Sequence, residues 1–185
     1  MKAVIDTSSL LALVRYYLPF DSNGLLKKFI KEKIDSSEII ILDKVAEESK
    51  YLSQGIILES LDFLKQKTNQ VKTNELLPYP KFFNMVENQF CVSIQRKKLN
   101  DVEFESKKKS FLDSADSKLL LFCLKEKTEL GLDNPFLVSE ETNTENDGKV
   151  FKKLPSLCSA VNVGHCNLPD LFKNNFKINL SDFLK

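Results

Sequence analysis

Apolar positions along the chain fall into short clusters of two kinds: brief β-branched runs, and longer stretches with helical spacing. Lys2 to Ile5 is a run of the first kind. It ends on Asp6 and is followed by Thr7-Ser8-Ser9, residue types that favour a helix N-cap, and then by apolar Leu10 to Leu18, so the order is strand, tight turn, helix. A second helix is predicted from about Asn23 to Ile34. Glu38 to Leu42 then carries four apolar residues in succession, the mark of a strand buried on both faces. Asp43 is placed to cap a helix beginning Lys44-Val45-Ala46-Glu47-Glu48.

Ile56 to Gln66 has the spacing of another amphipathic helix. The stretch from Thr68 to Ser110 is the least regular part, with Pro78 and Pro80 ahead of a predicted helix at Lys81 to Gln89. Its charged runs, Arg96-Lys97-Lys98 and Lys107-Lys108-Lys109, mark it as an exposed excursion. Asp113 to Glu129 returns to a clear helix closed by Gly131, and Pro135 precedes a strand from Phe136 to Ser139. A polar loop, Glu140 to Gly148, leads to a short helix from Pro155, and His165-Cys166 falls in a late strand. Strands alternating with helices predict the α/β class, a mainly parallel sheet between layers of helices, with ligands at the carboxyl ends of the strands. No internal repeat divides the chain, and residues 1–185 read as one domain.

Composition narrows the class. Hydrophobic residues make up 42% and charged residues 29%, which excludes a disordered or fibrous chain. No apolar run approaches the ~20 residues that span a bilayer, so no membrane partner is expected. Lys and Arg number 27 against 26 Asp and Glu, so any nucleic-acid surface must be local. Cys91, Cys123, Cys158 and Cys166 include no CxxC pair and, with His165 the one histidine, match no zinc spacing. They read as reduced core residues of a cytoplasmic protein, and His165 as a structural histidine with no assigned role.

Three acids stand where a parallel sheet would collect them: Asp6 after the first strand, Glu48 after the second, and Asp116 at the start of the later helix. Carboxylates gathered from separate loops bind Mg²⁺ or Mn²⁺ without a compact motif, so spacing alone does not establish a site. Each has a plainer explanation. Asp6 can be an N-cap or Asx-turn residue, Glu47 and Glu48 can be first-turn acids favouring the helix dipole, and Asp113 and Asp116 can share a capping arrangement.

Four short motifs resemble PIN-domain ribonucleases. Val4-Ile5-Asp6-Thr7-Ser8-Ser9-Leu10 is similar to that family's first strand and turn. Val45-Ala46-Glu47-Glu48 resembles the helix carrying the second acid, in the register that selects Glu48 over Glu47. Ala115-Asp116-Ser117-Lys118-Leu119-Leu120 looks like the Ala-Asp pair that opens an apolar helix, selecting Asp116 over Asp113. Leu137-Val138-Ser139-Glu140-Glu141 is similar to the strand that ends in Val-Thr, any residue, then Asp or Glu. This chain departs from it with Ser139 for Thr and Glu141 for the Asp of many toxins. Lys152-Lys153-Leu154-Pro155-Ser156-Leu157-Cys158, Cys166-Asn167-Leu168 and Tyr16-Tyr17-Leu18-Pro19 resemble an uncharacterised PIN-like branch found beside DNA-binding or peptidase-like partner genes. The resemblance runs from Lys2 to about Phe172 and leaves Thr68 to Ser110 unmatched.

The resemblance implies a PIN-like three-layer α/β/α fold with four to five strands and a metal-dependent endoribonuclease, commonly a VapC-type toxin held by a cognate antitoxin, with a homodimer as a further expectation. In that reading Asp6, Glu48, Asp116 and Glu141 hold Mg²⁺ or Mn²⁺, with Glu47 and Glu140 as neighbouring alternatives, while Thr7 and Ser139 orient ligands or water. Arg15, Arg96, Lys97, Lys98, Lys107, Lys108 and Lys109 are the candidates for contact with RNA, or else simply a solvated face. The competing reading is a catalytically inactive PIN-like module that binds protein or nucleic acid. Other chemistries fit less well, since there is no G-x-G-x-x-G or P-loop string, no second Asp after Asp6 for a dehalogenase-type phosphatase, and no nucleophile elbow.

Overall fold

A computed structural model describes residues 2–128, 134–142 and 148–183 of the chain. Four parallel strands, β1 (Ala3–Ile5), β2 (Ile39–Ile40), β3 (Phe136–Val138) and β4 (Gly164–Cys166), form one sheet in the order β2-β1-β3-β4. Helices cover it, as a parallel sheet buried on both faces requires. The chain is thus α/β, with a parallel sheet between helical layers. All of β1 and β2 is buried, which accounts for their unbroken apolar sequence. Successive connections run to opposite sides of β1, so the switch point of the sheet lies between the carboxyl ends of β1 and β3.

Between β1 and β2 lie α1 (Thr7–Ala12) and α2 (Leu25–Asp35). The predicted helix over Leu10 to Leu18 is not one α-helix: α1 passes into a π turn at Leu13–Tyr17 and a 3₁₀ turn at Leu18–Phe20, where Pro19 has no N–H to continue the ladder. α2 starts at Leu25 because Gly24, at φ +66°, breaks the path, and the Asp21 carboxylate accepts from the N–H groups of Leu26 and Lys27. After β2, α3 (Asp43–Glu48) has Leu42 as its N-cap. Asp43 is therefore inside the helix, and its carboxylate accepts from the Thr73 hydroxyl at 2.6 Å.

The predicted helix from Ile56 to Gln66 is shorter, α4 (Ile56–Ser60), followed by a 3₁₀ turn at Asp62–Lys65. The excursion is more regular than its sequence suggests. It contains α5 (Pro80–Met85), α6 (Ser93–Arg96) and the twelve-residue α7 (Asp101–Leu112). A reciprocal capping box of Asn100 and Glu103 starts α7; the helix was hard to read because few apolar residues besides Phe104 and Phe111 mark a buried stripe. Asp113 is the C-cap of α7, and α8 (Ala115–Glu126) begins from an N-cap at Ser114 rather than at Asp113. The predicted close of that helix, Glu129 and Gly131, lies outside the described residues. After β3 come α9 (Leu154–Val161), with Pro155 in its first turn, β4, and α10 (Leu168–Asp170).

One buried apolar cluster runs from β1 through α8 into the excursion, where Phe90 packs edge-on against Phe82 at 5.7 Å and Phe111 at 6.3 Å. Cys91, Cys123, Cys158 and Cys166 are all free, and burial pushes the Cys123 and Cys158 thiols up, holding them protonated. Among the described residues no helix is long and apolar enough to cross a membrane.

Because Phe90 joins the excursion to the sheet's core, Phe90→Ala is expected to cost about 3–5 kcal/mol. Urea unfolding of the variant should show one transition at a lower midpoint; a separate early transition would mean that the excursion unfolds by itself.

Candidate metal centre

Asp6 leaves β1 at the switch point, where its N–H donates to the Val138 carbonyl of β3 at 2.9 Å. It is also the N-cap of α1: Oδ2 accepts from the Ser8 N–H at 3.2 Å and from the Ser8 hydroxyl at 2.7 Å. The capping role and a site at the strand end therefore coincide in one side chain. Only 6% of Asp6 is exposed, and burial pushes its carboxyl up to about 6, with the Glu48 charge adding to the rise and the Ser8 hydrogen bonds opposing it.

Asp116, in the first turn of α8, is pushed further, to about 8, by burial and then by the charges of Asp6, Glu141 and Glu48, with Lys149 acting against them. The charges of the other three acids selected from sequence thus all reach Asp116. Asp113, in contrast, pairs with Lys44 at 3.0 Å and is 72% exposed.

Thr7 and Glu48 meet directly, the Thr7 hydroxyl donating to Glu48 Oε2 at 2.5 Å. Glu47 instead faces Lys44, with a long contact of 3.9 Å. The two glutamates after β3 diverge as well. Glu141 accepts from the Leu154 N–H at 2.8 Å, at the start of α9, while Glu140 accepts from the Leu168 N–H at 2.8 Å, at the start of α10. Each supplies the carboxylate that a helix N-terminus favours, but only Glu141 adds its charge to Asp116.

Ser139, fully buried, has its hydroxyl 3.3 Å from the Glu141 N–H and 3.1 Å from His165 Nε2. His165, read from sequence as a structural histidine, contacts Ser139 at the turn that carries Glu141. No local motif signals this, because β3 and β4 bring the pair together from 26 residues apart. Ser8 was also missed: its hydroxyl links Asp6 to the N–H of Glu140 at 3.0 Å.

Among the described residues, no three acid, histidine or cysteine side chains stand close enough to grip an ion as they are placed. The donor chemistry nevertheless suits a hard divalent cation: oxygen ligands only, with the buried Asp6 and the half-buried Asp116 both raised by desolvation and neighbouring negative charge.

The basic candidates separate. Arg96 pairs with Asp101 at 2.9 Å and stacks over Phe104, Lys108 pairs with Glu87 and Glu105, and Arg15 donates to Ser53. Lys97 and Lys109 are exposed. Lys98 and Lys107 line a cavity that Asp116 and Glu141 also line.

Compared with family models, with curated proteins and with solved structures, the chain has no significant match. The likeness to PIN domains therefore rests on the motif residues alone.

Asp6 and Asp116 bind protons more tightly folded than unfolded, so they favour the folded state fully below their ordinary value near 3.8, and that contribution is lost as pH rises through about 6 and about 8. With metal chelated, the melting temperature is expected to fall between pH 4 and 9. Asp116→Asn should flatten the upper part of the decline; an unchanged profile in that variant would contradict the assignment.

Proposed function

We propose that the chain is a Mg²⁺- or Mn²⁺-dependent endoribonuclease. The observation that carries this reading is the gathering of acids from separate elements at the switch point of a parallel sheet, where burial raises the carboxyls of Asp6 and Asp116 and the charges of Asp6, Glu141 and Glu48 add to the rise at Asp116. Such a pair gains most from a bound cation. Asp6 and Asp116 would hold the metal, with Glu48 and Glu141 completing the ligand set. When bound, the metal supplies an activated water and offsets charge on the phosphate.

The chain's own groups hold these carboxylates in place. Thr7 restrains Glu48, Ser8 restrains Asp6, the Leu154 N–H restrains Glu141, and His165 steadies Ser139 beneath it. By the same resemblance the protein acts in the cytoplasm as the toxin of a toxin–antitoxin or defence module, restrained by an antitoxin or neighbouring regulatory protein.

A second reading, a catalytically inactive PIN-like module that binds protein or nucleic acid, is favoured by the absence of a ready-gathered ligand group among the described residues. Calorimetry with Mn²⁺ separates the two, since only the enzyme must bind the ion.

Mn²⁺ is expected to raise the melting temperature of the wild-type chain and to leave an Asp6→Asn, Asp116→Asn double variant unmoved. Glu48→Gln should lower RNA cleavage by at least about tenfold, the loss of roughly 1.4 kcal/mol of transition-state stabilisation, whereas Glu47→Gln should leave it near wild type. In cells, sequencing of RNA ends after brief expression should reveal new termini that vanish with Asp6→Asn; termini that persist in that variant would sink the assignment.

A further inference from the structure

A cavity of about 590 Å³ counts two of the clustered acids, Asp116 and Glu141, among its lining residues. One wall comes from the excursion, through the turn after α6 and one side of α7, and the other from residues 148–153. The two walls are fastened together. The Val92 N–H donates to the Val150 carbonyl at 2.8 Å, the Lys152 N–H donates to the Phe90 carbonyl at 2.9 Å, and Cys91 and Phe151 form an antiparallel bridge. Phe151 stacks on Phe111 with ring centres 4.3 Å apart and, with Leu99, gives the cavity an apolar side.

Lys98, Lys107 and Lys152 also line it, each contributed by a different segment. Cations so close to a cluster of carboxylates answer a physical need, because a polyanion approaching those acids would otherwise meet only repulsion. The volume is that of sites holding one small organic ligand, roughly 300–1,000 Å³. A base locked in a duplex stack cannot enter such a space without unpairing. Positive charge along an apolar wall is the arrangement that takes unpaired strands.

We propose that this cavity seats an unpaired nucleotide of a polynucleotide strand next to the acidic cluster, its phosphates facing Lys98, Lys107 and Lys152 and its base covering Leu99 and Phe151. The inference deepens the nuclease reading and rests on it for the position of the cut, while the seat itself can be tested without cleavage. It gives the excursion, which matches no motif of the resembling family, the task of holding the strand.

The test measures fluorescence anisotropy of a labelled twelve-nucleotide single-stranded RNA on the full chain carrying Asp6→Asn and Asp116→Asn, so that no cleavage intervenes. Adding Lys98→Gln, Lys107→Gln and Lys152→Gln is expected to weaken binding by at least about tenfold. It should also make the log–log salt dependence less steep by about 2, from a slope of ~0.7 per phosphate contact on single strands. A control with Lys28→Gln, Lys65→Gln and Lys173→Gln, outside the cavity, should bind as before. Ser110→Trp, which narrows the cavity without removing charge, should weaken binding too, and melting temperatures confirm that each variant folds.

Equal losses in the two lysine sets, no change in the cavity set, or equally tight binding of the same RNA as a duplex would overturn the proposal. The deoxy form of the oligonucleotide distinguishes RNA from DNA, since only RNA offers the 2′-hydroxyl. If the wild-type chain neither binds Mn²⁺ nor cleaves while cavity-dependent binding persists, the nuclease reading fails and the nucleotide seat stands. If cleavage proceeds with KM unmoved by the cavity lysines, the seat fails and the nuclease reading stands.

Discussion

Acids drawn to one rim of a parallel sheet around the buried Asp6 are the constraint around which this molecule is organised. Parallel pairing of β1 with β3, closed by the hydrogen bond from the Asp6 N–H to the Val138 carbonyl, brings a carboxylate to the end of one strand and a Ser-Glu-Glu turn to the end of the next. Asp116 enters from the helix that precedes β3, and Glu48 from the one that follows β2. Together, with burial the leading cause, they raise the proton affinity of Asp6 and Asp116 well above the usual carboxylate range.

The local structure uses these acids while leaving them able to act. Asp6 caps α1 through Oδ2, and Glu141 spends one oxygen on the first turn of α9. Helix N-termini carry unsatisfied N–H groups and partial positive charge, so carboxylates placed there are oriented at little cost. The same bonds fix where each acid stands, which is what a metal site assembled from distant segments needs. Ser139 and His165 extend the principle one layer outward: the buried Ser139, after β3, and the half-buried His165, in β4, tie the Glu141 turn to the sheet.

The excursion attaches to this centre by packing and by backbone pairing. Phe82, Phe90, Phe111 and Phe151 form a chain of ring contacts, and the short antiparallel bridge at Cys91 and Phe151 fastens the excursion to the segment entering α9. Its cations then divide by circumstance. Arg96 and Lys108 are consumed by ion pairs that hold the excursion's own helices, while Lys98 and Lys107 reach the cavity beside Asp116. A run of lysines in sequence is thus not a single functional unit in space.

The sequence by itself determined the α/β class and the parallel sheet, because apolar strands and helix spacing are local properties, and it singled out Asp6, Glu48 and Asp116 as candidates through motif register. It misjudged element ends where a π turn, a glycine or a competing cap intervened, as at Leu13, Gly24 and Ser114. Only the tertiary structure decided that Glu48 meets Thr7, that Glu141 rather than Glu140 acts on Asp116, and that His165 steadies Ser139. The same holds for the partition of the lysines and for the cavity itself, since both depend on residues far apart in the chain approaching one another. Pairing, desolvation and charge coupling of that kind have no signature in local sequence, which is why the acids could be named in advance while their shared electrostatics could not.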